Sequence, residues 1–504
     1  MKWGEAVVLI ELVDIMQGKV LYGSTKIDVN GLSCDSRRIK NGYIFFCKGK
    51  AFKNSYVVDA IKRGTVAVVL DKEHINGARE VLTDMQITVI LVDEISAAVS
   101  LCAAHFYGYP TKKLITAAIT GTKGKTTTSH FLNSALNQRK DFKSALLCDM
   151  VDKDAPRLTT PEAIDFHKAA AKALANGYTH LVCEISSQAQ KNGRVNGIEF
   201  DISCFLNLGH DHIGENEHKN EEDYFLCKAE IVKNSSVAVI NSDCPYGKRL
   251  KELLSQNQKN ISISAENKEA DFVCKEIFAD ACGCKTLAYD TVRKETFTLC
   301  SSMLGRHNAV NMLSAYAMAR ELGVSKEEAY IGICSSHPDG RSELLYSKDK
   351  TIRIVVDYAH NEMSFTAISR MSRETLGAKY VTAIFGCPGD KAQCRRYGLA
   401  LACTKNVDRV IICEDDSGAE GYENIAKEMK EHFKSLGNKN VIFIENREEA
   451  LRYAVESSDR VGEVILFLSK GEETLNRGKN GDCECESDIN IAKRVIQMYD
   501  TVKK

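Results

Sequence analysis

A net excess of charge of either sign is missing from this chain. Lys and Arg total 67 against 68 Asp and Glu, a formal charge of -1 over 504 residues, which removes any overall electrostatic reason to bind nucleic acid or an anionic membrane. Long hydrophobic runs are missing too, since no stretch approaches the roughly 18 to 20 apolar residues that span a bilayer. The opening Met1-Lys-Trp-Gly-Glu5 lacks the basic and then apolar layout of a signal peptide, so a cytoplasmic protein is expected. Metal-ligand spacing is also scarce. The 19 cysteines include two C-x-C pairs, Cys282/Cys284 and Cys483/Cys485, with no C-x-x-C or histidine cluster beside either. Others (Cys148, Cys183, Cys204, Cys413) fall in strand-like runs, where a reduced thiol serves as a small hydrophobe.

What is present is an ordinary globular composition, 44% hydrophobic and 27% charged, which argues against disorder. The length is too great for one core and predicts about three domains. Residues 1–112 alternate short strands (Tyr43–Phe46, Val66–Leu70) with helices (Ala6–Met16, Tyr56–Lys62), and Gly108-Tyr-Pro110 reads as a linker. Residues 113–337 carry a phosphate-type loop and further strands at Thr179–Ser186, Phe200–Leu208 and Ser236–Ile240. Residues 338–504 hold five strand-like runs separated by helical segments: Ile352–Asp357, Tyr380–Phe385, Val407–Cys413, Asn440–Glu445 and Glu463–Leu468. That alternation predicts an α/β, doubly wound, mostly parallel sheet. Ligands bind beyond the carboxyl ends of such strands, so Asp357–His360, Gly386–Lys391, Glu414–Asp416 and Ser469–Glu473 are expected along one edge.

The stretch around which the rest is organised is Gly121-Thr-Lys-Gly-Lys-Thr-Thr127, preceded by the β-branched and apolar run Leu114–Thr120 and followed by helical composition. A helix start leaves backbone N–H groups unpaired, and Gly121 and Gly124 let the loop curl so that these donors converge on an anion. Lys125 would reach the outer phosphates of a triphosphate and the Thr126 hydroxyl would ligate Mg²⁺. The common longer motif has a glycine where this chain has Ile119, so the match is to a shorter variant.

Other polar clusters read two ways. Glu184 at a strand end suits a Mg²⁺ ligand, or is a simple strand-end charge. Asn207–His212 could serve a metal or phosphate, or be a satisfied loop. Asp35-Ser-Arg37 reads as a solvated turn. Asn308 and Asn311 share a helix face where amides could hold a base edge, although capping also explains Asn308. By periodicity Lys228 is one more helix lysine.

Ten segments in register give the chain a resemblance to the Mur ligases over essentially its whole length. They are Cys34–Arg37; Gly121–Thr127; Thr159-Thr-Pro161; Glu184–Ser187 with Arg194; Asn207–His212 with Tyr224–Lys228; Gly305–Asn311; Gly340-Arg341; Asp357–His360; Phe385–Asp390; and Lys470–Glu473. The likeness is greatest to the type that adds the third amino acid to UDP-N-acetylmuramoyl-dipeptide. It implies a UDP-sugar-binding α/β domain (1–112), a central P-loop ATPase-type domain (113–337) and a C-terminal Rossmann-like domain receiving the amino acid (338–504), in a monomer that binds neither nucleic acid nor membrane.

The resemblance also implies roles. Gly121, Thr122, Lys123, Gly124, Lys125, Thr126 and Thr127, with Asn308, Asn311, Arg341 and Asp357, would bind ATP. Thr126, Glu184, His212 and a carbamylated Lys228 would hold two Mg²⁺. Ser36, Arg37, Thr159, Thr160, Ser186, Asn192 and Arg194 would bind the UDP-linked peptide, and Lys391, Asp415, Asp416, Ser469, Glu472 and Glu473 the incoming amino acid. The peptide carboxylate would attack the γ-phosphate to give an acyl phosphate and ADP, and the amine would then displace phosphate.

Departures from the family concentrate at the amino-acid pocket. Asp415-Asp-Ser-Gly418 stands where diaminopimelate users carry Asp-Asn-Pro-Arg, so the arginine for a distal carboxylate is absent and an acceptor with a cationic side chain, lysine or ornithine, is expected. Lys391 replaces an arginine, Glu362 a proline and Gln188 a histidine. Two alternatives stand beside this reading: a folylpolyglutamate- or cyanophycin-type amide ligase, and a non-catalytic nucleotide-binding paralogue.

Overall fold

Buried β-branched runs set the architecture. The structure, a computed structural model, describes residues 7–49, 52–75, 87–156, 158–214, 217–458, 461–479 and 481–502. These fall into two compact units, one of residues 1–120, 140–203 and 230–238 and the other of residues 121–139, 204–229 and 239–504. The division runs through the central segment predicted from the sequence.

In the first unit, a five-stranded sheet has the order Lys19–Tyr22, Thr88–Leu91, Ala67–Leu70, Tyr43–Phe46, Gly31–Ser33. The first pair is antiparallel and the rest parallel. Ala67–Leu70 is buried along its whole length, as expected of a parallel strand covered on both faces. Leu12 of the helix Leu9–Ile15 and Cys102 of the helix Ile95–Phe106 join this core, together with Ala163 and Ile164 from the helix Ala163–Ala175. The predicted helix Ala6–Met16 is shorter than expected, because Val7–Val8 pairs instead with Asp28–Val29; Ala6 itself lies outside the described residues. The strand Ile115–Thr120 runs parallel to His180–Glu184, which is parallel in turn to Ser144–Leu146.

His167, on the helix Ala163–Ala175, is 1% exposed, and neither ring nitrogen has a hydrogen-bond partner among the described residues. Burial pushes its imidazole down from 6.5 to about 4. The unfolded chain therefore takes up this proton first, so the stability from the neutral buried ring is full above about pH 6.5 and is lost as pH falls towards about 4. The shift of 6.5 to about 4 corresponds to about 3 kcal/mol. We expect denaturant titrations between pH 7 and 4.5 to show a steeper acid loss for the native chain than for His167→Leu; parallel curves would refute this.

In the second unit, a six-stranded sheet has the order Glu343–Tyr346, Arg353–Asp357, Glu463–Leu468, Tyr380–Phe385, Arg409–Ile412, Val441–Phe443. Only the first of these strands is antiparallel. Asp357 pairs with Leu468 and Phe385 with Ile412, so the strand ends predicted to carry ligand groups do line one edge. Helices cover both faces with separate apolar clusters, one centred on Phe365, Leu399 and Phe433, the other on Leu451, Ala492 and Val495. Among the strands unread in the sequence, Phe272–Asp280, Gly283–Asp290 and Glu295–Ser301 form an antiparallel meander. Cys282 is exposed in its first turn while Cys284 is buried in the following strand, so this C-x-C pair splits between surface and core.

Candidate active site

The phosphate loop is rigidly held before any ligand arrives. The helix Lys125–Leu136 starts one residue earlier than the sequence suggested, with Gly124 at its N-cap in the left-handed region (φ +87°). A Cβ there would sit 2.5 Å from Asn311 Oδ1, so the position demands glycine for conformation and for space. Asn207 fastens the loop from the other side. Its side-chain oxygen accepts from the Lys123 N–H (2.9 Å), its amide donates to the Lys123 carbonyl (3.0 Å), and its own carbonyl accepts from the Thr122 N–H (3.0 Å). The Thr122 hydroxyl lies 3.0 Å from the Tyr224 hydroxyl and accepts from the Gly209 N–H.

Two amines converge on this loop. Lys125 Nζ donates to the carbonyls of Gly121 (2.8 Å) and Thr122 (3.2 Å), and Lys228 Nζ donates to the same Gly121 carbonyl (2.9 Å). Lys228 is 1% exposed and lies 4.7 Å over the Tyr224 ring. Burial and the neighbouring Lys125 push its amine well below the usual lysine range. Lys123 Nζ is 3.0 Å from His360 Nε2, and burial lowers both groups strongly. A triphosphate entering here would meet amines whose charge is disfavoured only while no anion is present to pair with them.

His212 sits at φ +55°, a conformation histidine tolerates better than most residues. Its Nδ1 is 2.6 Å from Glu217 Oε1, and its Nε2 accepts from Arg395 at 3.2 Å. The adjacent Asp211 is 1% exposed. Its carboxylate accepts from Arg395 Nε (2.5 Å) and Asn361 Nδ2 (2.6 Å). Burial alone would raise this carboxyl, but Arg395, His212 and Lys123 hold it well below the usual range. Neither Asn361 nor Arg395 stands out in the sequence, and Asp211 does so only as a member of the Asn207–His212 cluster.

Arg341 donates to the Thr126 hydroxyl at 3.3 Å and stacks 4.5 Å over Tyr358. Asp357 accepts from the Ser342 N–H and hydroxyl at 2.8 and 3.1 Å. Asn308 donates to the Leu304 carbonyl, and Asn311 donates to Asn308 Oδ1. Both amides are buried in the start of the helix Asn308–Glu321.

The residues predicted for the UDP-linked peptide lie in the first unit. Glu184 ends its strand opposite Ile119. The Thr160 hydroxyl donates to the Glu184 carbonyl and accepts from the Ser186 N–H, both at 2.9 Å. Arg194 reaches Glu162 (2.8 Å) and the Thr160 carbonyl (3.2 Å), while Lys48 also pairs with Glu162 (3.2 Å). Ser36 is buried, whereas Arg37 is 84% exposed and folds back on Asp35 at 2.7 Å; the turn reading of this motif thus describes the observed geometry. Thr159 is exposed, and Asn192 terminates the helix Ser187–Lys191 with its amide 3.5 Å from Gln188.

Comparison with known proteins decides the family. The Mur ligase middle domain matches residues 119–319, and the Mur ligase glutamate ligase domain matches residues 340–471. A UDP-N-acetylmuramyl-tripeptide synthetase of Ligilactobacillus salivarius is 33% identical over 95% of this chain and 96% of its own length. The chain belongs to the Mur ligase family. A UDP-N-acetylmuramoyl-L-alanyl-D-glutamate–L-lysine ligase of Streptococcus mutans is 31% identical, covering 96% of each chain. The solved structure of MurF from Acinetobacter baumannii shares the fold, with a TM-score of 0.67 at 16% identity over 98% of this chain and 99% of that one.

At the carboxyl edge of the six-stranded sheet of this Mur ligase, Asp416 (φ +47°) and Ser469 (φ +91°) occupy left-handed backbone, a strain that costs on the order of 1–3 kcal/mol where it is not relieved. Ser469 points its hydroxyl at the Gly386 carbonyl (3.3 Å). Burial would raise the Asp416 carboxyl, but Lys470 at 3.1 Å outweighs it and the group stays low. Lys391 and Arg477 stand 3.7 and 3.9 Å from the same carboxylate. Asp415 is pushed up to about 6 by burial. Glu473 accepts from the Tyr358 hydroxyl at 2.7 Å and faces Lys470. Burial and the nearby Asp339 and Glu343 raise the Glu472 carboxyl. A cleft of about 950 Å³ opens here, lined by Glu414, Ser417, Arg447, Lys470 and Asn476 among others.

Proposed function

We propose that this chain is the ATP-dependent amide ligase that joins L-lysine, as third amino acid, to UDP-N-acetylmuramoyl-L-alanyl-D-glutamate in peptidoglycan precursor synthesis. Full-length similarity to proteins named for that step supports it. The observation that carries the chemistry is the convergence of Lys125 and Lys228 on one carbonyl of the loop, that of Gly121. Residues 1–112 would hold the UDP-sugar, 113–337 the ATP and 338–504 the amino acid. The full-length match includes the first of these segments, which favours a UDP-sugar user over the folylpolyglutamate- or cyanophycin-type alternative.

The donor set fits magnesium on one condition. A hard cation takes oxygen ligands, which the Thr126 hydroxyl provides and an amine does not. Burial and the neighbouring Lys125 lower the basicity of the Lys228 amine, and addition of carbon dioxide would make it an oxygen donor. Thr126, Glu184, His212 and carbamylated Lys228 would hold two Mg²⁺, whose contribution when bound is charge neutralisation at the phosphoryl group. This chain's own residues do the rest. Lys125 and the loop N–H groups align the γ-phosphate, Arg341 closes on the nucleotide beside Thr126, and Arg194 orients the peptide carboxylate that attacks. The resulting acyl phosphate is consumed when the amine of the amino acid expels phosphate.

Lysine is favoured by the missing arginine at Ser417-Gly418 and by the acidic Asp415, Asp416 and Glu473. The rival reading, diaminopimelate, draws on Arg477 and Lys391 beside Asp416, which could receive a distal carboxylate. Release of ADP in the presence of the UDP-linked dipeptide and each amino acid separates them. We expect lysine to exceed diaminopimelate in kcat/KM by at least about 100-fold, the scale of a missing charged contact. Greater turnover with diaminopimelate would overturn the assignment, and no turnover with any acceptor would favour a non-catalytic paralogue.

A further inference from the structure

Two cysteines that play no part in the ligase chemistry meet on the far side of the helix that follows the phosphate loop. Cys300 lies in the strand Glu295–Ser301, which pairs with Gly283–Asp290, and Cys334 lies in the helix Lys326–Ser335. Their sulfurs are 2.7 Å apart, and the Cys300 N–H donates to Cys334 Sγ at 3.3 Å. A disulfide requires about 2.05 Å between sulfurs, so a small side-chain rotation closes the gap with no change of fold. The other cysteines offer no such sulfur–sulfur contact among the described residues. The pair is also reachable. It borders a groove of about 680 Å³ lined by Lys285, Phe297, Lys326, Tyr330 and Ile331, with Tyr330 42% and Ile331 52% exposed. The Tyr330 hydroxyl is 4.0 Å from Cys300 Sγ.

We propose that Cys300 and Cys334 form a reversible thiol–disulfide site, oxidised by a peroxide and reduced by a dithiol. The step balances. One thiol attacks hydrogen peroxide, the O–O bond breaks, and a sulfenic acid and one water result. The second thiol then displaces the sulfenic hydroxyl as a second water, and the S–S bond forms. Two thiols and one peroxide give one disulfide and two waters, and thiol–disulfide exchange with a dithiol reverses the change.

The location gives the bond a lever on the nucleotide site. The helix Lys326–Ser335 touches the helix Lys125–Leu136 backbone to backbone at Gly332, where an added Cβ would come within 2.5 Å of Ala135 Cα and of the Ser134 carbonyl. A covalent bond at Cys334 thus fixes the element against which the phosphate-loop helix rests. Its effect is to stiffen that support, raise the melting temperature and slow any step that needs the loop to yield.

Peptide mapping of the full chain tests the site without a variant. After mild hydrogen peroxide and alkylation, we expect one linked peptide pair joining Cys300 to Cys334 with the loss of two hydrogens, abolished by dithiothreitol. The oxidised native chain should melt higher than the reduced one, and Cys334→Ser should show no such rise while leaving a sulfenic acid on Cys300 that dimedone traps. The proposal is overturned if Cys300 and Cys334 remain separately alkylated at a peroxide dose that oxidises the exposed Cys148, Cys282 and Cys483, or if the link forms and the melting temperature does not move.

Discussion

Lys125→Ala will lose ATP-dependent amide synthesis by about 10³-fold or more in kcat/KM, about 4 kcal/mol of transition-state stabilisation. The cause is local. Lys125 begins its helix and turns its amine back over the loop to the Gly121 and Thr122 carbonyls, and under the proposed function its ammonium would meet the transferred phosphoryl group as the charge spreads. Nothing else on the loop replaces it, for Lys123 is turned towards His360. Because Asn207 and Tyr224 hold the loop through Thr122 and Lys123, its shape should survive, and the circular dichroism and melting temperature of the variant should match the native chain. Retention of more than about a tenth of the native rate would remove the loop from the chemistry.

Lys228→Ala should be nearly as damaging, again about 10³-fold in kcat, and for a different reason. Lys228 is fully buried against Tyr224 and the loop, so alanine leaves a cavity there and, under the proposed function, would remove the anionic ligand that carbamylation of the amine would supply. A short carboxylate such as acetate fits that cavity and supplies the same oxygens. Added acetate should therefore restore part of the rate to Lys228→Ala and none to Lys125→Ala. A variant that is inactive and cannot be rescued by any small carboxylate would show that the lysine acts as a cation. A high-resolution map at Lys228 lacking carbamate density would point the same way.

The parts of this fold that could be read from the sequence are those whose burial leaves a periodic trace. Ala67–Leu70, Tyr380–Phe385 and Glu463–Leu468 are covered on both faces, so their runs are continuous and stand out. The meander Phe272–Ser301 is not of that kind. Its strands carry exposed Lys275, Glu276 and Lys285 among buried residues, a mixed pattern that blurs into the helices on either side. At the site, Lys125, Lys228 and Arg341 could be found through motif spacing and family resemblance. Arg395 and Asn361 could not, because their partner Asp211 lies 184 and 150 residues away in the sequence, and only folding brings a guanidinium, an amide and a carboxylate to one point. The alternation of charges in Ser469–Glu473 likewise hid the fact that neighbouring glutamates face different ways, Glu473 to Tyr358 and Glu472 to Asp339 and Glu343.

Asp211 joins the loop before His212 to two residues on helices that pack on the six-stranded sheet, Asn361 at the start of Glu362–Glu374 and Arg395 in Cys394–Asn406. A rearrangement of His212 would be felt by that three-way junction, and so would a shift of the helices Glu362–Glu374 and Cys394–Asn406. Thermodynamic linkage then requires a reciprocal bargain: by whatever factor nucleotide tightens or loosens the grip on the amino acid, the amino acid alters the grip on nucleotide equally. The two substrates, which never touch until the acyl phosphate is made, would already be informed of each other through one carboxylate.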